Sequence, residues 1–237
     1  MKRIIAVVGI WLIIWYLIDG RADKKENEFL QAAQTHPNWT QWANTPGYTS
    51  DCGDQAINLT PHVNIIAENL EKEELLYNSK KYTDCSGIFI RVLDSLEKRC
   101  PEASYLDPAT YRSSRDIALW YDKQDQLELI SAPKDMHTLI RPGAVMFYAP
   151  PQAAVNGKIL FGGGGIHHVG IVTEVQLDKE GVVQSYTLFH GRSEGKIASI
   201  TRYHKRSYRN RKYAPYGNGA QKWVAIAPVI GEGNLWE

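Results

Sequence analysis

The residues best able to do chemistry in this chain are one cysteine and two histidines. Cys85 stands in "YTDCSGIFIRVLDSLEKRCP", residues 82–101, where it opens an apolar series. Cys85, Ile88, Phe89, Val92, Leu93 and Leu96 recur at spacings of three and four, which predicts a helix with the thiol in its first turn. Thr83 or Asp84 can cap its start, Lys98 and Arg99 suit its negative end, and Pro101 forbids continuation. A sulfur at that end meets unpaired backbone N–H groups and the positive pole of the helix dipole, both of which favour thiolate. Asp84 opposes that charge, so a histidine is needed to complete the activation. Gly87, in the same turn, is expected to leave open space beside the sulfur for a substrate. A buried structural cysteine is the competing reading of Cys85.

The histidines lie in "IHHVGIVTEV" and "YTLFHGRSEG", two apolar stretches flanking a turn around Lys179. Residue 179 is midway between His168 and His190, so an odd-length loop, such as three residues with Gly181 in the left-handed region, sets the two directly opposite on one face. Their Cβ atoms would then lie ~5 Å apart, and one ring could orient the other. His167 would point to the opposite face. A nucleophile, a base and an orienting residue suffice for acyl transfer: Cys85 attacks a carbonyl, His168 accepts and returns a proton, and His190 fixes the tautomer of His168. The same three residues lack a fourth zinc ligand, and no H-E-x-x-H helix is present, so no metal is assigned.

These residues need a helix and a sheet to hold them. Thr60 and Pro61 predict a helix start, with the helix running to about Tyr77 and burying Val63, Ile66 and Leu70. A further helix is expected from Ser114 to Asp122. After Pro142 the pattern turns to strands: "AVMFYA", "HVGIVTEV", "VVQSYTLFH" and "KWVAIAPVI". Asn156 with Gly157 marks a tight turn, and Asp178 to Gly181 another. Helices followed by strands predict an α+β domain with an antiparallel sheet. "GGGG" at 162–165 lacks the lysine and hydroxyl residue of a phosphate loop and reads as a flap beside His168. The basic run "TRYHKRSYRNRKY" reads as a solvated surface loop, with contact to an anionic polymer or phospholipid as its alternative.

Taken together, "DCSG" opening an apolar helix, "LIRPGAVMFY" at a strand entry, "HVGIV" and "FHGRSEG" resemble the NlpC family of bacterial cell-wall cysteine peptidases over roughly residues 61–230. The resemblance implies a reduced papain-like fold, with the nucleophile helix packed on the sheet. It makes Cys85 the nucleophile, His168 the base and His190 the third, polar member. It also implies hydrolysis of amide bonds in peptidoglycan stem peptides, without metal or cofactor. The chain departs from the family pattern in three places. "LLYNSKKYTDCSG" replaces the tyrosine and paired glycines ahead of the nucleophile, Ala144 stands where an aspartate is usual, and the hairpin between the histidines is longer. Tyr77 or Tyr82 is then the candidate for the tyrosine's role near the oxyanion, with Ser86 and Gly87 beside the substrate. An amidase toxin, a thioester acyltransferase and a wall-binding module without turnover are the alternative readings.

The remaining features set the context. The chain has 237 residues, 43% of them hydrophobic, enough for one substantial core, and a formal charge of +1 that gives no global attraction to nucleic acid. After Lys2 and Arg3 come fifteen uncharged residues, 4–18, followed by "DGRADKK". That order predicts a signal-anchor over 1–22 in the inner membrane with the rest facing the periplasm; a removed export signal is the alternative. Residues 23–60 read as a linker and pre-domain segment in which Trp39 and Trp42 pack on the main body, and 61–237 as the peptidase domain, expected to act as a monomer. Of three cysteines, pairing Cys52 with Cys100 leaves Cys85 free; three reduced thiols are the alternative.

Overall fold

Asn58 starts the first helix, because its side chain accepts the Thr60 N–H at 2.9 Å and so satisfies one orphan donor of the first turn. The structure, a computed structural model, describes residues 47–52, 55–206 and 213–230, all within one compact unit, Ala43–Glu237. The expected anchor over residues 4–18, Trp39 and Trp42, and Arg209, Arg211 and Lys212 of the basic run lie outside the described residues. Among the described residues, no helix is long and apolar enough to cross a membrane.

A short hairpin, β1 (Thr49–Cys52) and β2 (Gln55–Asn58), leads into α1 (Leu59–Lys72). Val63, Ile66 and Leu70 are buried as their spacing predicts. The helix stops at Lys72, short of Tyr77, and Glu74 and Asn78 enter the left-handed region (φ 49° and 54°). The chain beyond it pairs instead with a distant loop: Tyr77 N–H donates to Lys196 O and Ala198 N–H to Leu75 O, both at 2.9 Å. Two helices follow, α2 (Cys85–Glu97) and α3 (Ser114–Lys123), each within one or two residues of its expected limits. Cys52 of β1 and Cys100, three residues past α2, form a disulfide with Cα atoms 5.0 Å apart, which leaves Cys85 as the free thiol. Closing a loop of this length, 48 residues, contributes about 4 kcal/mol on the chain-entropy estimate.

The strands β3 (Glu128–Leu129), β4 (Ala144–Ala149), β5 (His168–Leu177), β6 (Val183–His190), β7 (Ser199–His204) and β8 (Lys222–Pro228) make one antiparallel sheet in the order β3-β8-β4-β5-β6-β7. The fold is therefore α+β. β4 is buried along its whole length, which is why "AVMFYA" shows no alternation. Helices α1, α2 and α3 all touch β5, the strand that begins at His168. On α2, Ile88, Phe89, Val92, Leu93 and Leu96 are buried, each contributing roughly 1.5–3 kcal/mol. That packing fixes the helix, and the helix fixes its first residue, Cys85.

Two expectations about the chain between these strands are corrected. Asn156 and Gly157 do not make a hairpin turn; Asn156 caps a single helical turn, α4 (Gly157–Leu160), by accepting the Ile159 N–H at 3.0 Å. Residues 201–204, the start of the basic run, are not a solvated loop but belong to the edge strand β7, where Arg202 and His204 are exposed and Tyr203 is half-buried. Charged side chains on an edge discourage pairing with other chains, and that same charge disguises the strand in the sequence.

Candidate active site

Asp84, and not Thr83, caps α2: its Oδ1 accepts the Gly87 N–H at 2.8 Å. Thr83 turns back to donate to Lys80 O at 2.8 Å, while Arg91 donates to Tyr82 O at 2.8 Å and to Lys81 O at 3.2 Å. These bonds hold Tyr82 in the left-handed region (φ 58°), an uncommon place for a side chain of its size. Gly87 is needed for this close turn. A Cβ there would collide with the Tyr82 backbone, so the glycine admits the preceding loop and leaves no space for a substrate, contrary to expectation.

The thiol of Cys85 is buried, and its surroundings come from three elements. Ser114, at the start of α3, brings its Oγ to 3.4 Å from Sγ. The chain entering β5 offers the His167 carbonyl, which accepts from Sγ at 3.8 Å, and the Val169 N–H. The α2 backbone adds the Ser86 N–H. The Tyr77 hydroxyl also reaches the Cys85 side chain and its backbone N–H, and burial pushes the Tyr77 pKa up to about 12, with Cys85 and Asp84 adding to it. Of the two tyrosine candidates, the structure brings Tyr77 to the thiol. The ring of Tyr82 lies instead under the cations of Lys81 and Arg112, at 4.6 and 5.1 Å from its centroid.

Burial decides the ionisation of this sulfur. It pushes the Cys85 thiol above its ordinary value of 9.0; the Ser114 hydroxyl pulls down, Asp84 pushes up, and the Val169 and Ser86 amides pull down, without reversing the outcome. The thiolate expected from the helix terminus is therefore not the resting form.

His168 and His190 meet, by a different register from the one expected. Ile171 pairs with Phe189 and Val172 with Leu188, so Gly170, and not His168, falls opposite His190. The five-residue turn over 178–182 is centred on residue 180 and not on Lys179, which displaces the pairing by two residues; two bulges, near Val172 and near Gln176, offset each other. Gly181 is left-handed as expected (φ 77°), and Asp178 Oδ1 accepts the Glu180 and Val182 N–H groups at 3.1 and 2.8 Å. A shift of two keeps both rings on one face, and they reach each other diagonally: His168 Nε2 lies 2.8 Å from His190 Nδ1. A Cβ at Gly170 would press on Leu188 at 2.7 Å and on the His190 Cβ at 3.0 Å, so the glycine admits this approach. Desolvation lowers the His168 pKa to about 3 and holds that of His190 well below its ordinary value, so both rings are neutral at pH 7. Sγ makes no hydrogen bond to the His168 ring; it rests against the peptide groups on either side of that residue.

The thiol opens on a cleft of about 500 Å³ lined by Tyr77, Asp84, Cys85, Ser86, Arg112 and Ser114, together with Ile166 and His167. His167 is the exposed histidine here, its Nε2 2.7 Å from Gln221 Nε2. Arg112 was not singled out by sequence. It donates to Asp84 Oδ1 and to Ser86 Oγ, each at 2.7 Å, and so ties both neighbours of Cys85 to the segment before α3. Ser114 was equally unforeseen, and its one local signal is the capping box of Ser113 and Asp116 that fixes where α3 begins. Ala144 is fully buried at the start of β4, where a carboxylate would lack solvent. Among the described residues, no cluster of three or more histidine, cysteine or carboxylate side chains could hold a metal. Comparison with known proteins adds no name to this arrangement: no family model, no curated protein and no solved structure matches the chain.

Proposed function

We propose that the chain is a cysteine hydrolase of the NlpC type, with a reduced papain-like fold, that cleaves amide bonds in peptidoglycan stem peptides. The observation that carries the reading is the 2.8 Å contact between His168 Nε2 and His190 Nδ1, on a strand whose entry, through the His167 carbonyl, meets a free thiol seated at a helix start. With its Nε2 engaged by His190, His168 has Nδ1 as the nitrogen left for chemistry. Cys85 Sγ attacks the substrate carbonyl carbon while its proton passes to His168 Nδ1. The carbonyl oxygen takes the electron pair and is met by the Tyr77 hydroxyl and the Cys85 N–H. The C–N bond then breaks, the leaving amine takes the proton from His168, and water resolves the thioester by the same route. Because thiol and imidazole both rest neutral, attack and proton transfer occur together, with His168 as general base. The peptidase domain spans residues 61–237, and the segment 1–22 holds it at the inner membrane, facing the wall.

The test uses the full-length chain with purified peptidoglycan, and the released fragments are identified by mass. Stem-peptide cleavage that vanishes in Cys85→Ala and His168→Gln but survives in His167→Gln is the expected result. Turnover retained in Cys85→Ala excludes the mechanism, and loss confined to His167→Gln moves the base to the exposed ring. Transfer of the acyl group to an added amine, in place of hydrolysis, would convert the reading to an acyltransferase.

A further inference from the structure

Beyond the three residues of the proposed site, the hydrogen-bonded series has another member on the edge strand. Tyr203 of β7 brings its hydroxyl to 3.2 Å from His190 Nε2, on the far side of the ring from His168. The three groups thus form a line from β5 through β6 to β7, with contacts of 2.8 and 3.2 Å. Each imidazole nitrogen in a neutral ring is a donor or an acceptor, never both, so the line can be filled in only two ways. In one, His168 carries its proton on Nε2 and donates to His190 Nδ1, and His190 donates its Nε2–H to the Tyr203 oxygen. In the other, every proton is reversed, and His168 Nδ1 is protonated and useless as a base.

We propose that Tyr203 is a positioning residue that selects the first arrangement by accepting the Nε2 proton of His190. This deepens the hydrolase reading given above and rests on it for its catalytic consequence. Tyr203 suits the task. It is half-buried and has the Thr201 hydroxyl as a further hydrogen-bond partner, whereas His190 is buried and its Nε2–H meets the Tyr203 oxygen at 3.2 Å. Desolvation raises the pKa of Tyr203, so the phenol stays neutral while its oxygen accepts. The charged and titratable groups that act on His190 are His168 from β5 and Arg192 just beyond β6, and Arg192 also acts on Tyr203. A cation there opposes an imidazolium at position 190, which favours leaving the transferred proton on His168. No proton needs to travel beyond His168; the outer groups set only which nitrogen is free.

The test is ¹⁵N NMR of the histidine-labelled full-length chain at pH 7.5, with the His190 signals assigned by their loss in His190→Gln. In the wild type, His190 and His168 should both carry their proton on Nε2. Tyr203→Phe removes the acceptor and should move both protons to Nδ1. The same variant should lower kcat on muropeptides by at least about tenfold with KM unchanged, because a wrong tautomer disables the base without touching substrate binding. A His190 protonated on Nδ1 in the wild type, or unchanged in Tyr203→Phe, overturns the assignment. If the wild type turns over no muropeptide, the hydrolase reading falls, and the tautomers still decide the role of Tyr203.

Discussion

The ionisation of Cys85 distinguishes two ways of running a thiol site. A preformed thiolate–imidazolium pair needs a thiol pKa pulled down and an imidazole pKa pushed up. Here both move the other way: the thiol lies above 9.0 and His168 falls to about 3, each because burial penalises its charged form. At pH 7 an ordinary thiol is already almost wholly protonated, and burial holds Cys85 further toward that form. Alkylation of the full-length chain by iodoacetamide reads this directly, because only the thiolate reacts and Cys85 is the one thiol outside the disulfide. The rate, followed by the mass of the Cys85 peptide from pH 5 to 10.5, should climb about tenfold per pH unit through pH 9. It should stay at least a hundredfold below its ceiling at pH 7. A rate already level below pH 7 would mean a standing ion pair, and the general-base mechanism argued from burial would be wrong.

The neighbours of the sulfur predict opposite shifts by the same assay. Ser114→Ala removes a hydrogen bond to the thiolate and should slow alkylation at pH 8 by about threefold to tenfold, equivalent to about 1 kcal/mol. Asp84→Asn keeps a good helix cap but removes the opposing charge, and should speed it. Tyr77→Phe should lower kcat by about a hundredfold with little change in KM if its hydroxyl meets the oxyanion, and an unchanged kcat would remove it from that role. Gly170→Ala forces a methyl against Leu188 and His190, and should cost about 1–3 kcal/mol, read as a lower Tm. Acid should destabilise the fold. His168 titrates near its ordinary 6.5 when unfolded and near 3 when folded, so the unfolded chain binds more protons below pH 6.5. Stability is therefore lost as pH falls from 6.5 toward 3, by about 2 kcal/mol at pH 5, and a His168→Gln variant should show a shallower fall in Tm.

The parts of this fold legible in the sequence are those whose burial is periodic or continuous. α2 and β4 were recoverable to within a residue because one face, or every position, is apolar. The register of β5 against β6 was not, because it depends on a five-residue turn centred one residue later than expected, which leaves no compositional mark. The face survived the error, since a shift of two preserves the side on which His168 and His190 lie. β7 was hidden by its own surface: in "SITRYH" the charges on the solvent side resemble a loop. Ser114 and Arg112 could not be tied to Cys85 by any local pattern, because α3 reaches the thiol only through tertiary packing. The direction of the thiol's ionisation was missed for a related reason. The helix terminus is visible in sequence, but the burial that outweighs it is not.

That imbalance has a consequence for how such a site would work. A standing thiolate in a cleft beside Arg112 and Arg115 would react with any electrophile small enough to enter. A neutral thiol under Tyr77 and Ser114 would react fast at neutral pH only when a carbonyl arrives to take the charge as the proton leaves. The negative charge then passes from sulfur to oxygen, and so to donors already in place, at no point standing uncompensated in the buried space between α2 and β5. Selectivity would follow from geometry, because a substrate that fails to present its carbonyl to Tyr77 and the Cys85 N–H leaves the proton where it was. In that mechanism the series running from His168 through His190 to Tyr203 would serve the same end: neutral at rest, it would keep one nitrogen lone pair free until it is needed.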